Sequence, residues 1–289
     1  MGHGNLSFDV SQDGSKIVFA AEGRGGRDLY LFDQAYGHIQ ALTSSPDYEI
    51  MPAFSVDGRQ VAFTRGTAGV RADQLCVMDL FTRHIEQLTN ADENILAPTF
   101  SHNGQSVLFA LETEYGWGGL ASNWNESGQI TELDLRTKKR RILRSEPRRA
   151  TEPTVSRDGN WLAWAESKGI CVAPYDQPAS SRVVVPEGSW PSFSPDGKRL
   201  AFVTGTYIPD YHVEIVPVAG GKPLKVPGTD GAMQVRFLPN GRLLVLREFW
   251  RSGGTGLPTR SLWEIGDDGS DSREVISEAR FSDPLPSKE

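Results

Sequence analysis

One short pattern recurs six times along this chain: an apolar residue, usually a serine, one variable residue, then aspartate or asparagine followed by glycine. It reads Val10-Ser11-Gln12-Asp13-Gly14, Phe54-Ser55-Val56-Asp57-Gly58, Phe100-Ser101-His102-Asn103-Gly104, Val155-Ser156-Arg157-Asp158-Gly159, Phe193-Ser194-Pro195-Asp196-Gly197 and Phe237-Leu238-Pro239-Asn240-Gly241. The glycines stand 44, 46, 55, 38 and 44 residues apart. A second apolar string follows each instance, such as Ile17-Val18-Phe19 or Leu200-Ala201-Phe202. A third comes later, as in Leu75-Cys76-Val77-Met78-Asp79, and a fourth ends near Leu42-Thr43 or Leu88-Thr89. Each unit therefore reads as four short strands. Asx-Gly forms the first turn because Asx caps its own backbone and glycine tolerates positive φ.

A lone four-stranded meander cannot bury both its faces, so units of this size must stack on one another. Four strands repeated every 40 to 50 residues are the mark of a β-propeller. The expected fold is all-β: a six-bladed propeller with four antiparallel strands per blade, in one domain over 1–289. The blades are expected at about 6–43, 52–89, 98–144, 153–185, 191–227 and 233–276, with 277–289 as a tail or closing strap. Ala279-Arg280-Phe281-Ser282 resembles the start of another inner strand, but too few residues remain for a seventh unit. Thirty glycines and eighteen prolines fit a chain of many tight turns.

The string Pro191-Ser192-Phe193-Ser194-Pro195-Asp196-Gly197-Lys198-Arg199-Leu200-Ala201-Phe202 resembles the Pro-Asp repeat of TolB-type propellers, a WD40-like repeat. Pro52, Pro98 and Pro153 fill the same slot as Pro191, and the resemblance covers nearly the whole chain. It implies a bacterial propeller of the kind found in periplasmic translocation components, beside prolyl-oligopeptidase-like peptidases and in stand-alone proteins. With no TolB-like N-terminal domain or peptidase domain in the sequence, the stand-alone form is expected.

Composition narrows the partners. With 38% hydrophobic and 23% charged residues the chain is a folded, soluble protein, and no apolar run approaches the roughly 18 residues of a spanning helix. A net charge of −7 argues against nucleic acid or an anionic membrane. Met1-Gly2-His3-Gly4 lacks a signal sequence, so the compartment is cytoplasmic if Met1 is the native start and periplasmic if a signal peptide has been removed. Cys76 and Cys171 lie in equivalent third strands and are expected as buried, unbonded thiols.

The working face is expected where the long loops gather. A-to-B turns are minimal, whereas B-to-C loops and D-to-A connections on the other rim carry Arg24, Arg27, Tyr48, Glu49, Glu93, Tyr115, Trp117, Trp124, Glu152, Trp190, Tyr207, Tyr211 and Trp250. Aromatic platforms mixed with charged groups suit a protein or peptide segment, or an oligosaccharide. The expected function is a non-enzymatic binding scaffold. The alternative is a carbohydrate-binding protein or a carbohydrate-active enzyme, a glycosidase or lyase, in which Glu49, Glu93 and Glu152 converge at the channel mouth. A third reading is a regulatory or assembly module whose catalytic partner is a separate chain.

No recognisable catalytic string assigns a catalytic residue, and neither cofactor nor metal is expected. Gly-x-Ser-x-Gly and Walker A strings are missing, and His3, His38, His84, His102 and His212 are scattered. The six recurrent Asx residues are read as turn caps, not ligands, because they recur in every unit. Asp267-Asp268-Gly269-Ser270-Asp271 lacks the ligand order of a calcium loop.

Overall fold

The computed structural model describes residues 7–22, 26–67, 73–90, 92–112, 128–146, 150–206, 210–249 and 259–277. They form twenty-four strands, and no α-helix occurs among them. The first eight are β1 (Phe8–Val10), β2 (Lys16–Glu22), β3 (Arg27–Asp33), β4 (His38–Ala41), β5 (Tyr48–Phe54), β6 (Gln60–Gly66), β7 (Asp73–Asp79) and β8 (Ile85–Gln87). There follow β9 (Asn94–Phe100), β10 (Ser106–Glu112), β11 (Gly128–Asp134), β12 (Arg140–Glu146), β13 (Ala150–Val155), β14 (Trp161–Glu166), β15 (Gly169–Pro174) and β16 (Arg182–Val185). The last are β17 (Ser189–Phe193), β18 (Arg199–Thr204), β19 (His212–Pro217), β20 (Leu224–Lys225), β21 (Ala232–Phe237), β22 (Leu243–Phe249), β23 (Thr259–Ile265) and β24 (Arg273–Ile276). No helix among the described residues is long and apolar enough to cross a membrane.

The strands from β9 onward make four separate four-stranded antiparallel sheets in simple meander order. The first eight instead join into one sheet, in which two meanders meet through a single parallel pairing of Arg27 with Tyr48. That bridge was not expected from the repeat.

Core side chains explain why the sheets stack. Successive residues of a strand point to opposite faces, so in β2 Ile17 and Phe19 face one way while Val18 and Ala20 face the other. Val18 and Ala20 pack with Phe54, Val61 and Phe63 of the second unit, whereas Ile17 and Phe19 pack with Leu244, Leu246 and Leu262 of the last. The remaining core clusters join the second unit to the third, the third to the fourth, the fourth to the fifth and the fifth to the sixth. Each unit buries both faces against its neighbours, and the contacts close on themselves. Cys76 and Cys171 sit in different clusters, and both thiols are buried and free.

The first strand of each unit lines the centre. Four of these strands contain the recurrent proline inside a register shift. The residue just before it, Met51, Ala97, Glu152 or Trp190, takes φ between 47° and 54°. Proline offers no N–H to the ladder, and the bulge absorbs that gap. Three of the displaced amides are satisfied from the preceding unit. Met51 donates its N–H to Ser7 Oγ at 2.8 Å, Ala97 to Met51 Sδ at 3.1 Å, and Trp190 to Glu152 Oε2.

Candidate functional site

The recurrent turn is held by its own side chains, with one residue left out of the scaffold. Ser11, Ser55, Ser101, Ser156 and Ser194 each place Oγ within 2.6–2.9 Å of the following Asx Oδ1. The same Oγ accepts the N–H of the residue that opens the second strand, at 2.9–3.0 Å. Each Asx Oδ1 also caps the amide two residues on, at 3.0–3.1 Å. Glycine is needed twice over at Gly159: φ is 74°, and a Cβ there would lie 2.5 Å from the His102 ring. The residue between serine and Asx takes no part in this scaffolding. In all six units it lines one central cavity: Gln12, Val56, His102, Arg157, Pro195 and Pro239.

That cavity measures about 200 Å³ and opens at the end of the inner strands where the short Asx-Gly turns lie. Deeper in, Asp9 of β1 accepts Arg236 Nε at 3.2 Å on one oxygen and the Phe54 N–H at 2.9 Å on the other. Burial pushes the Asp9 carboxyl above its usual range, and the Arg236 charge works against that shift. Arg236 also lies 5.8 Å from the Trp190 ring centroid, a cation–π arrangement. Beyond it Ser7, Met51, Ala97, Glu152, Trp190 and Gln234 pinch the centre to about 10 Å³, room for one water at most.

At the mouth, Arg157 reaches Gln12. Its Nη2 donates to the Gln12 carbonyl at 3.2 Å; with the Gln12 amide oriented so that its oxygen faces the donor, Arg157 Nε donates to that oxygen at 2.9 Å and the Gln12 amide nitrogen donates to the Val56 carbonyl at 2.9 Å. The fourth, first and second units are thus strapped together over the cavity. A second void of about 230 Å³, bordered by Asp13, Lys16 and Asp57, lies on the other side of the strap.

Of the residues expected to bind, Arg24, Tyr115, Trp117, Trp124, Tyr207 and Trp250 lie outside the described residues. Arg27 pairs with Glu22 at 3.0 Å, and Tyr48 is exposed. Glu49 is fully buried, accepting Ser45 Oγ at 2.7 Å and Arg65 Nε at 3.0 Å, with its Oε2 unpartnered. Burial raises its carboxyl pKa. Glu93 is bound by both terminal nitrogens of Arg140 in β12, which hold its carboxyl below the usual range. Tyr211 packs beside the core between the fifth and sixth units. Glu152 and Trp190 do meet, at the pinch. The three glutamates have separate partners. Nor do these residues contain a group of three or more His, Cys, Asp or Glu suited to a metal ion.

Sequence reasoning passed over Asp9, Gln12, His102, Arg157 and Arg236. The signal for three of them was present, since Gln12, His102 and Arg157 occupy the one unconstrained position of a repeated turn.

Solved structures supply the wider context. The chain aligns with TolB from Acinetobacter baumannii at a TM-score of 0.73 and 20% identity, over 93% of this chain and 65% of that one. It aligns with oligogalacturonate lyase from Vibrio parahaemolyticus at 0.64 and 13%, over 93% and 76%, and with a chain of a nidogen/laminin complex at 0.64 and 13%, over 90% and 94%. What they share with this chain is the fold, a TolB-like β-propeller. This chain spans less than two thirds of the length of the Acinetobacter TolB. No family model and no curated protein matches it.

Proposed function

We propose that this chain is a non-enzymatic binding scaffold, a six-bladed TolB-like propeller that takes a protein or peptide segment into its channel mouth. In this reading the eight-stranded sheet is two blades sharing one parallel bridge, which the closed ring of core clusters supports. The observation that carries the function is the cavity. Six side chains that take no part in the turn scaffold surround a pocket floored by the half-buried Asp9–Arg236 pair. Its volume is below the ~300 Å³ at which sites for drug-sized ligands begin, so it suits one inserted side chain or chain end.

Selection of displayed peptides against the purified protein tests this. Peptides that bind the wild type should lose binding to Val56→Trp, which fills the mouth, and retain it in a Trp117→Ala/Trp124→Ala/Trp250→Ala variant. The reverse pattern would move the site to the loop-rich rim and sink the cavity reading.

The fold likeness to an oligogalacturonate lyase favours a second reading, a carbohydrate-binding protein or a lyase. Incubation with oligogalacturonides, monitoring the ultraviolet absorbance of unsaturated products, separates the two. Product formation would replace the scaffold reading.

A further inference from the structure

Arg157 differs from the other arginine of the cavity in what it holds. Arg236 is neutralised by Asp9 at 3.2 Å. Arg157 meets no carboxylate among the described residues, and its guanidinium is satisfied only by the two neutral oxygens of Gln12. The acidic side chains that border the void across the strap have hydrogen-bond partners of their own. Asp13 accepts Ser11 Oγ, Ser15 Oγ and the Ser15 N–H, while Asp57 accepts Ser55 Oγ and the Arg59 N–H. Apart from His102, the ionisable side chains of the cavity lining are Arg157, Arg236 and Asp9. Arg157 is therefore the one charged side chain of that lining without an oppositely charged partner among the described residues, while Asp13, Asp57 and Lys16 border the adjoining void.

A guanidinium fork binds a carboxylate through two parallel charge-assisted hydrogen bonds, each roughly twice as strong as a neutral one. Gln12 offers the same two-point geometry without the charge, which makes it an exchangeable stand-in. Releasing it would join the voids on either side of the strap and roughly double the space. Pro195, Pro239 and Val56 supply apolar surface on the same ring of positions.

We propose that Arg157 is the anchor of a carboxylate site, in which a partner peptide's carboxylate displaces Gln12 while the apolar part of that residue rests on Pro195, Pro239 and Val56. The carboxylate is a chain terminus or an aspartate or glutamate side chain. The occupant's being a peptide rests on the function proposed above; the charge preference does not.

The probes are isovalerate and its uncharged counterpart isovaleramide, titrated while the Arg157 Nε–Hε resonance is followed by nitrogen-15 NMR. Isovalerate should shift that resonance and isovaleramide should not. Arg157→Gln should weaken isovalerate binding by about ten-fold or more, the loss expected for a charge-assisted bond. Arg157→Lys should recover part of it, because charge is kept but the fork is lost. Arg157 is exposed, so both variants should keep the wild-type unfolding curve. Equal response to the amide, or unchanged affinity in Arg157→Gln, overturns the proposal.

Peptides selected as described above separate this proposal from the function it builds on. Amidating their C-termini tests the terminal carboxylate, and Asp→Asn with Glu→Gln changes test the side chains. If neither alters binding at a Val56→Trp-sensitive site, the carboxylate anchor falls and the peptide scaffold stands. If isovalerate binds through Arg157 but no peptide does, the anchor stands and the peptide occupant falls.

Discussion

Gln234 and Phe8, 226 residues apart, exchange two buried hydrogen bonds: the Phe8 N–H donates to Gln234 Oε1 at 3.0 Å, and Gln234 Nε2 donates to the Phe8 carbonyl at 2.9 Å. With Asp9–Arg236 beside it, this clasp fastens β21 to β1, so among the described residues the last unit meets the first through side chains and not through a shared strand; residues 278–289 of the expected closing strap lie outside them. Gln234→Leu keeps much of the volume but strips the partners from both the buried N–H and the buried carbonyl of Phe8. Each orphaned group costs about 1–3 kcal/mol, so a loss of roughly 2–4 kcal/mol in urea unfolding is expected. The exposed Gln40→Leu is the control and should stay within about 0.5 kcal/mol. Equal, small effects from the two variants would show that closure does not depend on the clasp.

Both cysteines should be silent in the native protein. Burial pushes the Cys76 thiol up to about 11 and the Cys171 thiol up to about 12, far above the pH of ordinary thiol assays, and the thiolate is the reactive form. At pH 8 neither should react with a disulfide reagent such as DTNB, and both should react once urea unfolds the chain. Rapid labelling of one thiol in the folded state would place its strand outside the core.

Much of the strand pattern was legible because one local device repeats it. Ser55 and Asp57, like Ser11 and Asp13, define a turn within five residues, and the apolar strings on either side follow from it. The cavity was less legible because no unit contains it. Gln12, Val56, His102, Arg157, Pro195 and Pro239 acquire meaning only when six inner strands surround one axis, and each looks like an arbitrary turn residue alone. Asp9 and Arg236 stand 227 positions apart, and only closure of the ring pairs them. Long loops rich in tryptophan drew the expected site to the other rim, where size and composition signal recognition but say nothing about a cavity built from minimal turns.

The C-to-D turn of the third unit contains a correctable strain. Lys138 adopts φ of 57°, as does Arg83 at 62° in the second unit, and in the first unit the same place is taken by Gly37 at 61°. In each turn an aspartate, Asp33, Asp79 or Asp134, caps the amides two and three residues on. The left-handed conformation costs a non-glycine residue about 1–2 kcal/mol. Against this, Lys138→Gly loses backbone entropy and the exposed ion pair with Glu86, worth little. The variant should gain up to about 1 kcal/mol in urea unfolding. A loss of stability would mean that the Lys138 side chain contributes more than its exposed position suggests.

The Asx turns should make the fold sensitive to acid in a defined window. Hydrogen bonds from Ser11 and Ser15 hold the Asp13 carboxyl down at about 2, against an ordinary value of 3.8, and similar bonds lower Asp57, Asp158 and Asp196. A group whose pKa is lower folded than unfolded stabilises the fold when ionised in both states. Its contribution is therefore present above about pH 4 and lost as pH falls towards 2. Asparagine fills the same position at Asn103 and Asn240 and caps the same amides, at 3.0 Å in both cases, so Asp→Asn preserves the turn while removing the titration. Urea midpoints measured from pH 6 to pH 2 should fall less steeply below pH 4 in Asp13→Asn than in the wild type. Changing Asp13, Asp57, Asp158 and Asp196 together should flatten the curve further. Parallel curves for the wild type and the quadruple variant would assign acid sensitivity to other carboxylates.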